Sequence, residues 1–267
     1  MGLSRRDFAD LLSWAAPQLR LSEAGFARVS GQVQKRVARR LAALGVTARE
    51  YRTRLQDDPR ELEVLDALCR VTISRFFRDA PAFTALVDRV LPRLAQSGSG
   101  RVTAWSMACA SGEEPYSLAL AWQARLAARF PGVALDLLAT DASPHMIERA
   151  RAANYPRSIF RELPSDLAAL LPAGPMVTLP ESVRGAVRFE ALDVREAWPP
   201  GPWDLLLCRN LVFTYFEPKL QQEFLERAAA HTRPGAVLFI GKREALPAHR
   251  GPWVAVPEGA GLYVRLE

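Results

Sequence analysis

From residue 102 onward, short apolar runs alternate with helical stretches, and few architectures accept that order. The runs at 102–105, 135–140, 187–194, 203–208 and 236–240 read as strands. Spacings of three and four residues between apolar positions predict helices over 115–129, 144–153 and 218–232. Strands that each need a crossover before the next imply a mostly parallel sheet with helices on its faces. Two last runs, 253–256 and 262–266, predict a closing hairpin and so an antiparallel end to the sheet. The S-G-S-G at 97–100 is a loop ahead of the first strand, and W-P-P-G-P-W at 198–203 is a loop ahead of the fourth.

The first 80 residues follow another pattern. S-R-R-D-F-A-D-L-L-S-W-A-A carries a helical period. Ser22 is an N-cap candidate for a second helix with Phe26, Val29, Val33, Val37, Leu41 and Leu44 on one side and Gly45 as its stop. Thr47-Ala48-Arg49-Glu50 fits a capping box, and Asp58-Pro59 opens a fourth helix running to about Cys69. The expected domains are a helical one over 1–80 and an α/β one over 81–267.

Charge follows the same division. The net charge is +6, and residues 1–80 hold 15 basic against 10 acidic residues. Arg28, Lys35, Arg36, Arg39 and Arg40 lie mostly off the apolar side of the second helix. That face would attract an acidic partner or simply be solvated. The modest charge, without interleaved aromatic and basic residues, argues against nucleic acid. No apolar run reaches the roughly 18 residues of a membrane span. The N-terminal M-G-L-S-R-R-D-F-A-D lacks the apolar stretch of a signal peptide, so the expected location is cytoplasmic. Cys69, Cys109 and Cys208 have neither disulfide nor zinc spacing, and His145, His231 and His249 have no partners in sequence, so no metal is expected.

The first strand-to-helix turn, W-S-M-A-C-A-S-G-E-E-P-Y-S, narrows the ligand. Open parallel sheets bind ligands at the carboxyl ends of their strands. A phosphate there wants several glycines or a lysine. This turn offers Glu113 and Glu114 instead, with Gly112 to let the backbone approach a ligand and Pro115 in the first helical turn. S-adenosylmethionine (SAM), with a sulfonium, an ammonium and a ribose but no phosphate, suits two carboxylates. The same pair would also complement a helix dipole. Asp141, ending the second strand, is placed to accept ribose hydroxyls or to cap a helix.

Together with V-T-I-S-R-F-F-R-D at 71–79, F-E-A-L-D-V at 189–194 and W-D-L-L-L-C-R-N at 203–210, these pieces resemble the CheR family of chemotaxis receptor methyltransferases, as an atypical member. The resemblance implies a Rossmann-like SAM-dependent methyltransferase sheet behind a small helical domain. It implies transfer of a methyl group from SAM to glutamate side chains on an acidic helical region of a receptor, leaving S-adenosyl-L-homocysteine. By position, Thr72, Ser74 and Arg78 would reach SAM from the N-terminal side. Glu113 would bind the methionine end, with Glu114 less favoured, and Asp141 the ribose. Asp193 and Val194 would flank the adenine, and Arg209 and Asn210 would border the methyl group. Tyr215 would help wall the site, and Arg78 or Arg209 would orient a carboxylate by paired hydrogen bonds. Phe76, Phe77 and Cys208 read as packing residues.

The sequence departs from the family at Thr72 and Ser74, which replace an asparagine and a threonine. It also departs in C-R-N-L-V-F-T-Y-F, one residue longer, and in G-K-R-E at 241–244, where the family has G-H-S-E. Residues 154–187 are short and give one strand candidate, 175–179, where receptor methyltransferases carry a small antiparallel subdomain. Methylation of another protein or a small molecule, and SAM binding without turnover, are the competing readings.

Overall fold

The structure is a computed structural model and describes residues 3–27, 29–97, 100–248, 251–257 and 259–267. The expectations for Arg28, for His249 and for Gly98 and Ser99 of the 97–100 loop lie outside the described residues. The chain forms two compact units, residues 1–72 with 211–222, and residues 73–210 with 223–267. The sequence boundary at residue 80 falls inside the second unit, because Phe76 and Phe77 are fully buried in that unit's core.

The first unit holds α1 (Arg5–Ala15), α2 (Glu23–Phe26), α3 (Ser30–Leu44), α4 (Ala48–Asp57) and α5 (Pro59–Cys69). Its helix ends use local capping chemistry. Thr47 and Glu50 form a reciprocal capping box, Asp58 accepts from the Arg60 N–H ahead of α5, and Gly45 ends α3 at φ 68°. The single helix expected from Ser22 is two helices, and the Ser22 side chain makes no cap bond. Gly25 passes so close to residue 214 that a Cβ there would stand 2.0 Å from the Thr214 carbonyl oxygen. That close approach fixes α2 through tertiary contact, which periodicity along the chain does not reveal.

Beneath α3, the buried Glu61 accepts from Arg40 (2.9 and 2.6 Å) and from the Tyr51 hydroxyl (2.8 Å). Arg36 donates to the Leu68 and Arg70 carbonyls. Two of the five expected surface cations therefore serve the interior of this unit, while Lys35 and Arg39 are exposed.

The second unit opens with α6 (Ala80–Ala85), a π-helical turn over Leu86–Val90 and α7 (Leu91–Ala95), none of which the sequence reading assigned. Then follow β1 (Arg101–Met107), α8 (Glu113–Ala121), β2 (Ala134–Asp141), α9 (Pro144–Ala152), β3 (Asn154–Pro156), α10 (Ser165–Ala168), β4 (Met176–Thr178), α11 (Glu181–Arg184), β5 (Val187–Ala191) and β6 (Trp203–Leu207). After α12 (Val212–Tyr215), which belongs to the first unit, come α13 (Pro218–Ala230), β7 (Thr232–Phe239), β8 (Trp253–Ala255) and β9 (Leu262–Arg265).

The main sheet runs β5-β2-β1-β6-β7-β9-β8, parallel up to β7 and antiparallel through β9 and β8. The order reverses at β1, which lies between β2 and β6, and the carboxyl end of such a switch point is where open parallel sheets place a ligand crevice. From Ala104 onward β1 is buried throughout, as a central strand covered on both faces must be.

Residues 154–187 form a second, two-stranded antiparallel sheet, with Tyr155 opposite Val177. The expected strand at 175–179 is β4. Its partner β3 is three residues ending in proline, too short to show alternation. Cys69, Cys109 and Cys208 are all buried. Burial pushes the Cys69 thiol up to about 12 and the Cys109 thiol well above its ordinary value.

Candidate active site

The floor of the crevice is the turn joining β1 to α8. Ala108, Ala110 and Gly112 adopt positive φ (51°, 50° and 90°) within five residues. Left-handed backbone at an alanine is unfavourable by about 1–2 kcal/mol, so the surroundings must impose it. They do so by sewing the turn to the end of β2. Cys109 N donates to the Thr140 carbonyl and Ala110 N to Asp141 Oδ2, both at 2.9 Å.

Gly112, the position read as letting the backbone approach a ligand, also serves packing: a Cβ would stand 3.0 Å from Ala150 Cβ in α9 and 3.1 Å from the Tyr116 ring. The glycine sets how closely α8 and α9 pack.

Glu113 and Glu114 begin α8, and both are buried. Their surroundings differ. Glu114 accepts from Ser106 Oγ (2.8 Å) and pairs with Arg209 Nη1 (3.2 Å). Glu113 Oε1 accepts from Ser111 Oγ (2.6 Å), but its Oε2 is buried with no hydrogen bond. Burial pushes the Glu113 carboxyl above the usual range, countered in part by Ser111, Arg149 and Ser74. Ser74 thus lies close enough to act on the Glu113 carboxyl.

Arg209 sits in the interior. Its Nη2 donates to the Arg78 carbonyl (2.7 Å) and Asp79 Oδ2 (2.9 Å), its Nη1 holds Glu114, and its guanidinium lies 4.7 Å from the Phe239 ring centre. Lys242 reaches Asp79 from outside at 3.4 Å. The expectation that Arg209 orients a ligand carboxylate by paired hydrogen bonds is therefore corrected: both terminal nitrogens already bind protein oxygens. Arg78 is half-buried, with one Nη1 bond to the Ile73 carbonyl (3.0 Å). Phe76 and Phe77 pack as expected, 4.3 Å from Phe160 and 4.7 Å from Phe83 between ring centres.

Asp141 reaches back to the turn, its Oδ1 accepting from Ser143 N (2.8 Å) and its Oδ2 from Ala110 N. The cap of α9 is Ser143, not Asp141. Asp193 is clasped by Arg195 through its backbone N (2.9 Å), Nε (3.0 Å) and Nη2 (2.6 Å). The buried Val194 offers its carbonyl to Trp198 Nε1 (2.9 Å). Asn210, at φ 56°, follows β6 and leaves its buried Oδ1 without a hydrogen bond. Its N–H donates to Glu244 (2.8 Å), a residue outside the expected set. Thr72 and Tyr215 belong to the first unit, where the Tyr215 ring packs 5.2 Å from Phe26.

Residues 72–258 match the family described as CheR methyltransferase, SAM binding domain. The chain belongs to the CheR methyltransferase family. Its relatives include a chemotaxis protein methyltransferase of Listeria monocytogenes, 33% identical over 203 residues and covering 75% of this chain and 76% of that one. The chemotaxis protein methyltransferase of Klebsiella aerogenes is 31% identical over 267 residues, covering 90% and 89%. Chemotaxis protein methyltransferase 1 of Pseudomonas aeruginosa is 36% identical over 181 residues, covering 64% and 65%.

This CheR-family chain is a SAM-dependent methyltransferase, and the acceptor oxygens at its crevice suit a ligand that carries ammonium and hydroxyl donors. Acids stand at the ends of β1 and β2, and two buried oxygens, on Glu113 and Asn210, need donors. Among the described residues, no group of His, Cys, Asp and Glu is arranged to hold a metal ion, and no helix is long and apolar enough to cross a membrane. The sequence reading missed Asp79 and Glu244. Each stands at the end of a stretch already singled out, F-F-R-D and G-K-R-E, and an acid closing such a motif is the available signal.

Proposed function

We propose that the chain methylates glutamate side-chain carboxylates on an acidic helical segment of a chemoreceptor-like protein. The observation that carries the cofactor half is Glu113 Oε2, a buried carboxylate oxygen with no protein donor. An ammonium is the donor that satisfies it most strongly. The acceptor half draws on relatives named chemotaxis protein methyltransferase.

When bound, SAM supplies an electrophilic methyl group on a sulfonium. Glu113 takes the ammonium, with Ser74 beside it. Asp141 accepts from the ribose, and Asp193 and Val194 flank the adenine. Asn210 borders the reacting end. Arg78 orients the acceptor carboxylate. No residue acts as general base, because a glutamate with an ordinary pKa of about 4.3 is already ionised at neutral pH. What the protein must supply is alignment and partial removal of water. Lys35 and Arg39 steer an acidic segment, so catalytic efficiency on an acidic peptide should fall with salt.

The test is transfer from methyl-tritiated SAM to proteins in a lysate of the source organism, followed by mild alkali. Volatile radioactive methanol released from an acidic membrane protein supports carboxyl methylation of a receptor. Label that resists alkali or resides in a small molecule rejects that acceptor. An Arg78→Ala variant with unchanged SAM affinity and turnover removes Arg78 from the scheme.

A further inference from the structure

Glu244 closes the G-K-R-E turn that follows β7, its N–H donating to the Gly241 carbonyl at 2.8 Å. A single oxygen, Oε2, accepts two backbone N–H groups, from Asn210 (2.8 Å) and from Gly241 (2.7 Å). These residues lie just past the carboxyl ends of β6 and β7, which are neighbours in the sheet. One carboxylate therefore latches the ends of two parallel strands at the rim of the crevice.

The latch also constrains a side chain. Asn210 is held at φ 56°, a conformation asparagine tolerates better than most residues but that still needs support. Its Nδ2 lies 2.5 Å from where a Gly241 Cβ would stand, so the amide is seated against the glycine. That leaves Oδ1, buried and without a protein donor, as the end of the amide able to serve a ligand.

We propose that Glu244 is a positioning residue: by holding the Asn210 and Gly241 N–H groups on one oxygen, it fixes the direction in which Asn210 presents Oδ1 to the cofactor. This rests on the SAM-site reading above.

The experiment measures affinity for S-adenosyl-L-homocysteine by calorimetry, with thermal denaturation alongside, in wild type, Asn210→Ala, Glu244→Ala, Glu244→Gln and the Asn210→Ala/Glu244→Ala double variant. Loss of either partner should weaken binding by about tenfold, one hydrogen bond's worth. Glutamine, whose carbonyl oxygen can accept both N–H groups, should restore most of the affinity. The double variant should bind no worse than Asn210→Ala alone, because Glu244 acts through Asn210.

Wild-type affinity in Glu244→Ala, or losses that add in the double variant, would overturn the proposal. Wild-type affinity in Asn210→Ala would instead strike the site reading and take the proposal with it. If Glu244→Ala does not fold, Gly241→Ala drives a Cβ against both Asn210 Nδ2 (2.5 Å) and the latching Glu244 Oε2 (2.8 Å), disturbing the latch without removing the carboxylate. It should show the same loss, and unchanged binding there also overturns the proposal.

Discussion

Two buried glutamates divide the molecule by purpose. Glu61, in the helical unit, is enclosed by partners: Arg40 grips both its oxygens and the Tyr51 hydroxyl adds a third bond. Those contacts, the Arg40 hydrogen bond foremost, hold its carboxyl below the usual range. Glu113, at the crevice, is equally buried but keeps one oxygen without a donor, and burial pushes its carboxyl upward. Burial is common to both, so burial does not mark function. What separates them is whether the protein itself completes the hydrogen bonding. A satisfied carboxylate fastens the fold, and an unsatisfied one is the group we propose for the ligand.

A third acid offers the severest trial of that distinction. Glu114 adjoins Glu113 in sequence but is completed by Ser106 and Arg209, so it should behave like Glu61. Arg209→Met removes the cation shared by Glu114 and Asp79. It should destabilise the chain by about 3–5 kcal/mol in urea denaturation, the usual outcome when one partner of a buried pair is lost. Unchanged stability with a selective fall in turnover would place Arg209 on the ligand side.

Glu113→Gln should do the reverse. SAM affinity should fall about 100-fold, roughly 2.7 kcal/mol, with the loss of a charged partner for the ammonium, while the melting temperature holds or rises. Wild-type affinity should also weaken as pH falls through the raised pKa of Glu113, and the glutamine variant should show no such dependence. A variant that binds as the wild type does would dissolve the contrast.

Smallest is Glu61→Gln, expected to cost about 1–3 kcal/mol of stability by disturbing the bond to the buried Tyr51 hydroxyl. Its pH dependence supplies a sharper sign. A depressed carboxyl contributes stability above its unfolded pKa and loses it as pH falls through the folded value, so the penalty should shrink toward acid. For Glu113 the sign is opposite: the raised carboxyl favours the folded state below its unfolded pKa, and that contribution disappears as pH rises through the folded value. Stability differences from wild type, measured at several pH values, separate the two.

Much of this arrangement was legible in the sequence. The β1 turn, the closing hairpin and the caps at Thr47, Asp58 and Gly45 follow from local chemistry, and the structure has them where the residues place them. The stretch Ala80–Ala95 was not legible. It is apolar on nearly every side and carries Pro81 and Pro92, so no amphipathic period emerges, and its burial comes from the core around it. In the crevice the residue types were readable but their partners were not. Arg209 meets Glu114 and Asp79 across 95 and 130 residues, and only the assembled sheet brings them together. Glu244 was hidden likewise, since its role depends on the lateral neighbourhood of β6 and β7.

The three cysteines have a practical consequence. All are buried, and the thiols of Cys69 and Cys109 are shifted far from the thiolate form that alkylating reagents attack. The native chain is therefore a quiet background for covalent labelling. Arg243 is exposed and adjoins the latch residue Glu244, so an Arg243→Cys variant should take a single maleimide fluorophore at neutral pH. Its emission would then follow cofactor arrival at the crevice in real time.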